Sequence, residues 1–475
     1  MDYVITSIAS QVRCDANALR LIISALLGYP ICVIYNIYLS KSPIITKHIY
    51  YTLCGLFLCY YNYGINTIHS FVSCIFVWTV LTLIGPKRKA IALNLTFCMS
   101  YLLYGYYVTQ TGSEYMFTWT IPQCVLTLRL IAMTFDVYDG HRNTKILAKL
   151  ATDSPTYAKN STKSDKLELF SEDTAVDNCP TLLQLLSHSY FPGSFLIGPQ
   201  VKYKNYLKYI ESNDNFLPKC WLPAMSRLML GLIYLLIYQI GSIHWPYQYM
   251  NSPEFDSYGF FMRASVVAII AKLTLCKYLS GWLIAEGVCI ISGASYNEKT
   301  GSVYECSNVY VLKFETATTF GGLIRSFNLT TNEFAARYLF KRLKFLGSRI
   351  ASHFLTLLFL ALWHGWATGY YITFGMEFLI MKMEWEVLSL FNSWRNRNKT
   401  MDSLLSAFYI RWPLLVFFRI YTIYMFGYCL VPFILLSYTK WIPVLTQLYF
   451  CGHIIYGTWL LIPPLIVPYI KAKQQ

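Results

Sequence analysis

His364 lies near the middle of a run, residues 350–376, that holds no Asp, Glu, Lys or Arg and is fenced by Arg349 and Glu377. Read as one helix at ~1.5 Å per residue, the run is long enough to cross a hydrocarbon core, and it sets this imidazole about 22 Å along the axis from Arg349. An ionisable group at that depth is costly to keep, so proton transfer, or a place in a proton or substrate path, is the chemistry expected of it. A histidine hydrogen-bonded to a neighbouring helix is the competing structural account. His353 stands about one turn from Arg349, within reach of the interface, and reads as structural. Ala361, Gly365, Thr368 and Gly369 surround His364 at helical spacing, small enough for another backbone or a substrate chain to come close.

A second group precedes it. Thr330 and Glu333 have capping-box spacing and Gly347 suits a helix end, which predicts a helix from about Thr331 to Gly347. Arg337, Lys341 and Lys344 then fall at i, i+4 and i+7, with Ala335, Leu339, Leu343 and Leu346 on the opposite side. Such a helix lies along a membrane interface, its basic face meeting either lipid headgroups or the phosphates of a nucleotide-containing substrate. Asn328, at the end of Arg325-Ser326-Phe327-Asn328, stands just outside it, where an asparagine by type alone is a turn or cap residue.

The elements that must position these groups are membrane helices. The 475 residues are 55% hydrophobic and only 13% charged, and runs 50–86, 90–113, 228–253, 421–439 and 441–470 carry no acidic or basic residue. Further spans are expected at 21–39, 117–135 and 265–293. The reading is an all-α polytopic membrane protein, one membrane domain of about 9 to 11 crossings, some short or re-entrant. The many Trp and Tyr suit the two interfaces or a lipid tunnel. No basic flank leads straight into a short apolar core after Met1-Asp2-Tyr3, so the first span is expected to act as its own uncleaved signal.

A net charge of +15 without a basic arm or domain points away from nucleic acid and toward anionic lipid surfaces and phosphorylated small molecules. Much of it reads as positive-inside loops, with Lys87-Arg88-Lys89 and residues 395–399 as topogenic clusters. Residues 471–475, Lys471-Ala472-Lys473-Gln474-Gln475, match a dilysine retrieval pattern, which would put the C-terminus in the cytosol and the protein in the endoplasmic reticulum. The fourteen cysteines are scattered, many within apolar runs, and read as small apolar residues. The eight histidines show no ligand spacing, so no metal is expected. Residues 136–180 read as a solvated polar loop and 295–349 as a second polar interruption. Of the glycosylation sequons at Asn94, Asn160, Asn328 and Asn398, Asn94 lies in an apolar run and is expected to be unreachable.

Ser326-Phe327-Asn328-Leu329-Thr330-Thr331-Asn332, then Ala336-Arg337-Tyr338-Leu339-Phe340-Lys341-Arg342-Leu343-Lys344-Phe345-Leu346-Gly347, then Leu362-Trp363-His364-Gly365, resembles the signature of the membrane-bound O-acyltransferases. The likeness is strongest over 312–378, beginning with Leu312-Lys313-Phe314-Glu315-Thr316-Ala317, and is most similar to the lysophosphatidylcholine acyltransferases of the endoplasmic reticulum. Weaker likeness extends to Phe135-Asp136-Val137-Tyr138-Asp139-Gly140 and to 193–203 with Gly198-Pro199-Gln200. Phe327 stands where other branches have tryptophan. His188, Tyr190 and Phe191-Pro192-Gly193 depart from the glycine-rich pattern expected there.

The resemblance implies a helical bundle around a reaction chamber, entered by acyl-CoA from the cytosol and by a lysophospholipid from the membrane or lumenal side. It implies His364 as the catalytic histidine and Asn328, preferred over Asn332, as the motif asparagine, with Arg337, Tyr338, Lys341, Lys344, Trp363 and Gly365 as candidate substrate contacts. No cofactor is implied, acyl-CoA being a substrate. A neutral imidazole in a low-dielectric site can take a hydroxyl proton near pH 7, and an asparagine can orient that hydroxyl or donate to the developing oxyanion. Two other readings stand beside this one. The same fold could serve a sterol, diacylglycerol or protein acceptor. A transporter would show inverted repeats, and the two halves have no matching interrupted spans.

Overall fold

The computed structural model describes residues 2–109, 117–152 and 173–462. Its regular secondary structure among these residues is helix, with one isolated antiparallel bridge, Val309 to Phe327. The long helices are α1 (Ala16–Ile34), α2 (Ile44–Tyr63), α3 (Thr67–Ile84), α4 (Arg88–Thr109), α5 (Thr120–Thr152), α6 (Leu217–His244) and α7 (Phe260–Ser292). The short α8 (Val311–Thr316), α9 (Phe320–Ile324) and α10 (Leu329–Phe334) follow, then α11 (Arg349–His364), α12 (Thr368–Arg397) and α13 (Phe408–Leu435). An apolar run in lipid must satisfy its backbone within the segment, and helix does that. Seven segments among the described residues are long and apolar enough to cross a membrane, from Ala16–Leu39 to Phe408–Leu435. The protein is an all-α polytopic membrane protein.

These are segments and not single helices, since Ile44–Ile84 holds two, and the uncharged runs are interrupted by backbone turns that composition does not register. Run 350–376 is not one helix. It breaks after His364, where Gly365 adopts φ 126°, a region open to glycine, and α12 starts three residues later. Run 50–86 holds α2 and α3, joined by a short 3-10 turn at Gly64, φ 54°. Run 441–470 breaks between the helices Tyr438–Gln447 and Cys451–Thr458 at Tyr449 and Phe450, both at positive φ. The dilysine tail, 471–475, lies outside the described residues.

The supposed solvated loop 136–180 begins as helix. Asp136 and Asp139 are buried in α5, which continues to Thr152. The chain then returns onto it, with Val176 N donating to Asp136 O at 3.1 Å. Gly140 permits this approach, since a Cβ there would stand 2.1 Å from the Val176 carbonyl oxygen. Asn160 lies outside the described residues. Asn94 is fully buried and its amide donates to Thr134 Oγ1 at 3.0 Å, as its apolar setting led one to expect.

The chain divides into two compact units, one from the described parts of Met1–Thr109, Phe117–Gly231 and Gly281–Ser307, the other from those of Leu232–Ser280 and Asn308–Gln475. In the first, Arg129 on α5 is buried and donates to the carbonyls of His188, Ser189 and Ser194 at 3.1, 2.9 and 2.8 Å. The His188 to Gly193 segment that departs from the expected pattern is thus wrapped around one guanidinium. Most cysteines are buried, Cys32, Cys74 and Cys289 with no exposed surface.

In the second unit, α11, α12 and α13 pack together. Gly369 at the start of α12 meets the backbone of α13, and a Cβ on it would lie 1.9 Å from Pro432 O. The small residues around His364 do admit a neighbouring backbone, as their spacing suggests. Gly369→Ala must push α12 and α13 apart, so we expect a loss of about 1 to 3 kcal/mol, read as a lower melting temperature of the purified protein in detergent. An unchanged melting curve would show that the two helices are free to separate.

Candidate active site

His364 is the last residue of α11. Gly365 N closes the helix by donating to Ala361 O and Leu362 O at 3.3 and 3.1 Å, and Tyr371 OH donates to Gly365 O at 3.2 Å. The imidazole sits among four rings, Trp363, Tyr370, Phe374 and Phe433, at centroid distances of 4.6, 5.2, 5.4 and 5.2 Å. Among the described residues neither ring nitrogen has a hydrogen-bond partner. The structural account of this histidine, a bond to a neighbouring helix, is therefore absent from the arrangement seen. An imidazole held by aromatic walls with both nitrogens uncommitted can accept a proton from a bound ligand.

Asn328 precedes α10 at φ 49° and ψ 41°, a left-handed conformation that asparagine tolerates better than most residues. It is the N-cap by position, yet its side chain caps nothing. Helix α10 starts at Leu329, so Asn328 and not Thr330 holds the N-cap position that a Thr330–Glu333 capping box would require. Thr330 N and Oγ1 instead donate to Asn308 Oδ1 at 3.0 and 2.8 Å, and Tyr310 N donates to Ser326 O at 2.8 Å. The Asn332 amide is committed, donating to Ile324 O and Phe327 O at 2.9 and 3.0 Å. Of the two asparagines, Asn328 is the one whose amide remains available.

Helix α13 links the two candidates. Phe327, next to Asn328, packs on Phe426 at 6.0 Å, and His364 packs on Phe433 at 5.2 Å. Phe426 and Phe433 are two turns apart on one face of α13, a separation of about 10 Å.

Two carboxylates fix the loop that carries Asn328. Glu315 on α8 accepts from Lys272 Nζ at 2.6 and 2.8 Å and from Tyr234 OH at 2.7 Å, with the Arg419 guanidinium at 3.6 Å. Lys272 also lies over the Phe314 ring at 4.7 Å, and Phe314 packs on Phe327 at 5.7 Å. Glu384 on α12 accepts from Phe320 N and Gly321 N at 2.7 and 2.6 Å, capping α9. Burial alone would raise the Glu315 carboxyl, but the hydrogen bonds from Lys272 and Tyr234 and the charges of Lys272 and Arg419 outweigh it and hold it below its ordinary value.

A carboxyl so lowered stabilises the fold above the unfolded carboxylate range and loses that contribution as pH falls through its own lower value. Glu315→Gln is therefore expected to cost on the order of 1 to 2 kcal/mol at neutral pH, discounted because these side chains are about a third exposed. The melting temperatures of variant and wild type should converge as pH falls through the lowered value of this carboxyl, beneath the ordinary carboxylate range. A gap that persists at low pH would assign the effect to shape, not charge.

The basic face predicted on one helix is not found in that form. After α10 the chain makes a π turn, Ala335–Leu339, and then a 3-10 turn, Phe340–Leu346, so residues 337, 341 and 344 do not keep α-helical alignment. Arg337 pairs with Glu333 at 2.9 Å, while Lys341 and Lys344 are exposed. Tyr338 is buried against Phe334 at 5.2 Å and Trp363 is buried beside His364. Gly347 does end the element, at φ 67°. His353 packs against Phe378 at 5.6 Å, consistent with its structural reading.

Glu315, Glu384, Asn308 and the α13 phenylalanines escaped sequence reasoning. A signal existed for the first. Lys272 and Arg419 are isolated cations in apolar helices, and such charges need a partner.

Residues 102–433 match the membrane-bound O-acyltransferase family. The chain is 38% identical to lysophospholipid acyltransferase 5 of Mus musculus, covering 98% of this chain and 92% of the relative. It is 33% identical to lysophospholipid acyltransferase 5 of Drosophila melanogaster, over 95% and 88%, and 25% identical to the lysophospholipid acyltransferase of Saccharomyces cerevisiae, over 96% and 75%. The chain belongs to the membrane-bound O-acyltransferase family. The resemblance drawn from the 312–378 motif is borne out.

Proposed function

We propose that this protein transfers a fatty acyl chain, polyunsaturated by preference, from acyl-CoA to the sn-2 hydroxyl of lysophosphatidylcholine in the endoplasmic reticulum membrane. Lysophosphatidylethanolamine and lysophosphatidylserine are further acceptors on this reading. The acceptor class is supported by likeness over nearly the full chain to relatives named lysophospholipid acyltransferases. The observation that carries the chemistry is the uncommitted imidazole of His364 among aromatic walls.

In the proposed step the acceptor hydroxyl oxygen attacks the thioester carbonyl while His364 takes its proton. Asn328 orients the hydroxyl or donates to the oxyanion that develops. The carbon–sulfur bond then breaks, the carbon–oxygen ester bond remains, and the proton held by His364 passes to the departing sulfur to give CoA. No acyl-enzyme and no cofactor are needed. Arg337, Lys341 and Lys344 are proposed to meet phosphates of the substrates, with Tyr338, Trp363 and Gly365 as further contacts. Membranes from a host depleted of its own activity, offered lysophosphatidylcholine, sterol, diacylglycerol and peptide with one labelled acyl-CoA, test the acceptor. Labelled phosphatidylcholine is the expected product. A labelled sterol ester, triacylglycerol or peptide in its place would move the protein to another branch of the family.

A further inference from the structure

The first unit holds a basic cleft that the proposed reaction does not use. It has a volume of about 380 Å³ and is lined by Pro86, Lys87, Arg88, Tyr138, His141, Arg142, Lys145 and Ile146. Two separate stretches build it. One is the turn from α3 into α4. The other is α5, where residues 138, 141, 142 and 145 follow i, i+3, i+4 and i+7 and so share one helical face. Arg88 Nε donates to Tyr138 OH at 3.4 Å across the two.

Four cations, Lys87, Arg88, Arg142 and Lys145, converge on this space, and among the described residues none of the lining is acidic. The 22-residue α4 begins at Arg88, which lines the cleft, so the positive end of its dipole lies at this space. Topogenic charge explains why Lys87-Arg88-Lys89 follows one apolar span and precedes the next. It does not call for a cleft, nor for a matching basic stripe on a third helix. Headgroup level is also where the sequence puts this turn, since the uncharged α3 ends at Ile84 and α4 starts at Arg88.

We propose that this cleft binds a phosphate-bearing anion, the headgroup of an acidic phospholipid, as a lipid site separate in sequence from the His364 motif. Phosphate oxygens would accept from Arg88, Arg142, Lys87 and Lys145, with the acyl chains left in the bilayer. A soluble phosphate compound is the other source of the same chemistry.

The test uses the full chain in phosphatidylcholine nanodiscs containing a photoactivatable phosphatidic acid, with labelled peptides mapped by mass spectrometry. Label is expected on peptides spanning 86–88 and 138–146, falling steeply with added salt. Lys87→Gln with Arg88→Gln, and separately Arg142→Gln with Lys145→Gln, should each reduce it by about 25-fold, at roughly one fifth remaining per cation removed. The second pair leaves the Lys87-Arg88-Lys89 cluster intact, so altered topology cannot account for its effect. Retained label in the presence of inorganic diphosphate supports a lipid headgroup; its displacement by diphosphate in wild type supports a soluble source for the same site. Label that maps elsewhere, or that both variants take up like wild type, overturns the proposal. Because the substituted cations are exposed or at the rim, both variants should melt with wild type, and the salt dependence of the unmodified protein stands independently of them.

Discussion

His364→Ala is expected to lower acyl transfer by roughly 10² to 10⁴-fold, the usual contribution of a positioned general base, with the loss in kcat more than in KM. The substitution also removes a ring from among Trp363, Tyr370, Phe374 and Phe433, so some stability goes with it. His364→Phe separates the two effects. It keeps an aromatic disc in the cluster and should melt near wild type, yet it has no atom able to take a proton. Turnover by His364→Phe within tenfold of wild type, at matched amounts of protein, would mean that another group is the base.

Asn328→Ala is expected to cost about 10² to 10³ in turnover if its amide meets the oxyanion, the range seen when one such donor is removed. Its left-handed backbone complicates that substitution, because alanine pays there for φ 49°. Asn328→Gly carries no such penalty and should be equally inactive while folding normally. The contrast is Asn332→Ala. Its amide makes two hydrogen bonds that hold the Ile324 to Phe327 turn, so it should lose on the order of 1 to 2 kcal/mol of stability and activity only in proportion. Activities and melting curves of the three variants, measured together, decide the assignment. Equal inactivity of well-folded Asn328 and Asn332 variants would contradict the distinction between them.

What could be read in the sequence was whatever depends on composition and local motif. Uncharged runs gave a polytopic helical fold because a backbone in lipid has few other ways to satisfy its polar groups. His364 was legible as an ionisable group inside such a run, and Asn328 and Asn332 as a pair of motif asparagines. The break at Gly365 was not legible, since the glycine that allows φ 126° was equally consistent with close helix packing. The interfacial helix at 331–347 failed for a related reason. Its 3.6-residue pattern was real, but the segment is tied at one end to Asn308 and continues through π and 3-10 turns, so tertiary anchoring overrode periodicity. Asp136 and Asp139 open a polar stretch whose composition suits a solvated loop; their burial goes with Val176 returning across Gly140, a long-range contact. The Glu315 cluster joins residues 234, 272, 315 and 419, a distance along the chain that no local pattern spans.

The most direct test of the central claim is a structure of the protein with a non-reactive thioether analogue of acyl-CoA and lysophosphatidylcholine. The account predicts the sn-2 hydroxyl within about 2.6 to 3.2 Å of a His364 ring nitrogen, directly or through one water, with the analogue's sulfur-linked carbon beside it and the Asn328 amide facing the same centre. An acceptor hydroxyl held by other residues, with His364 still closed among its aromatic neighbours, would contradict it.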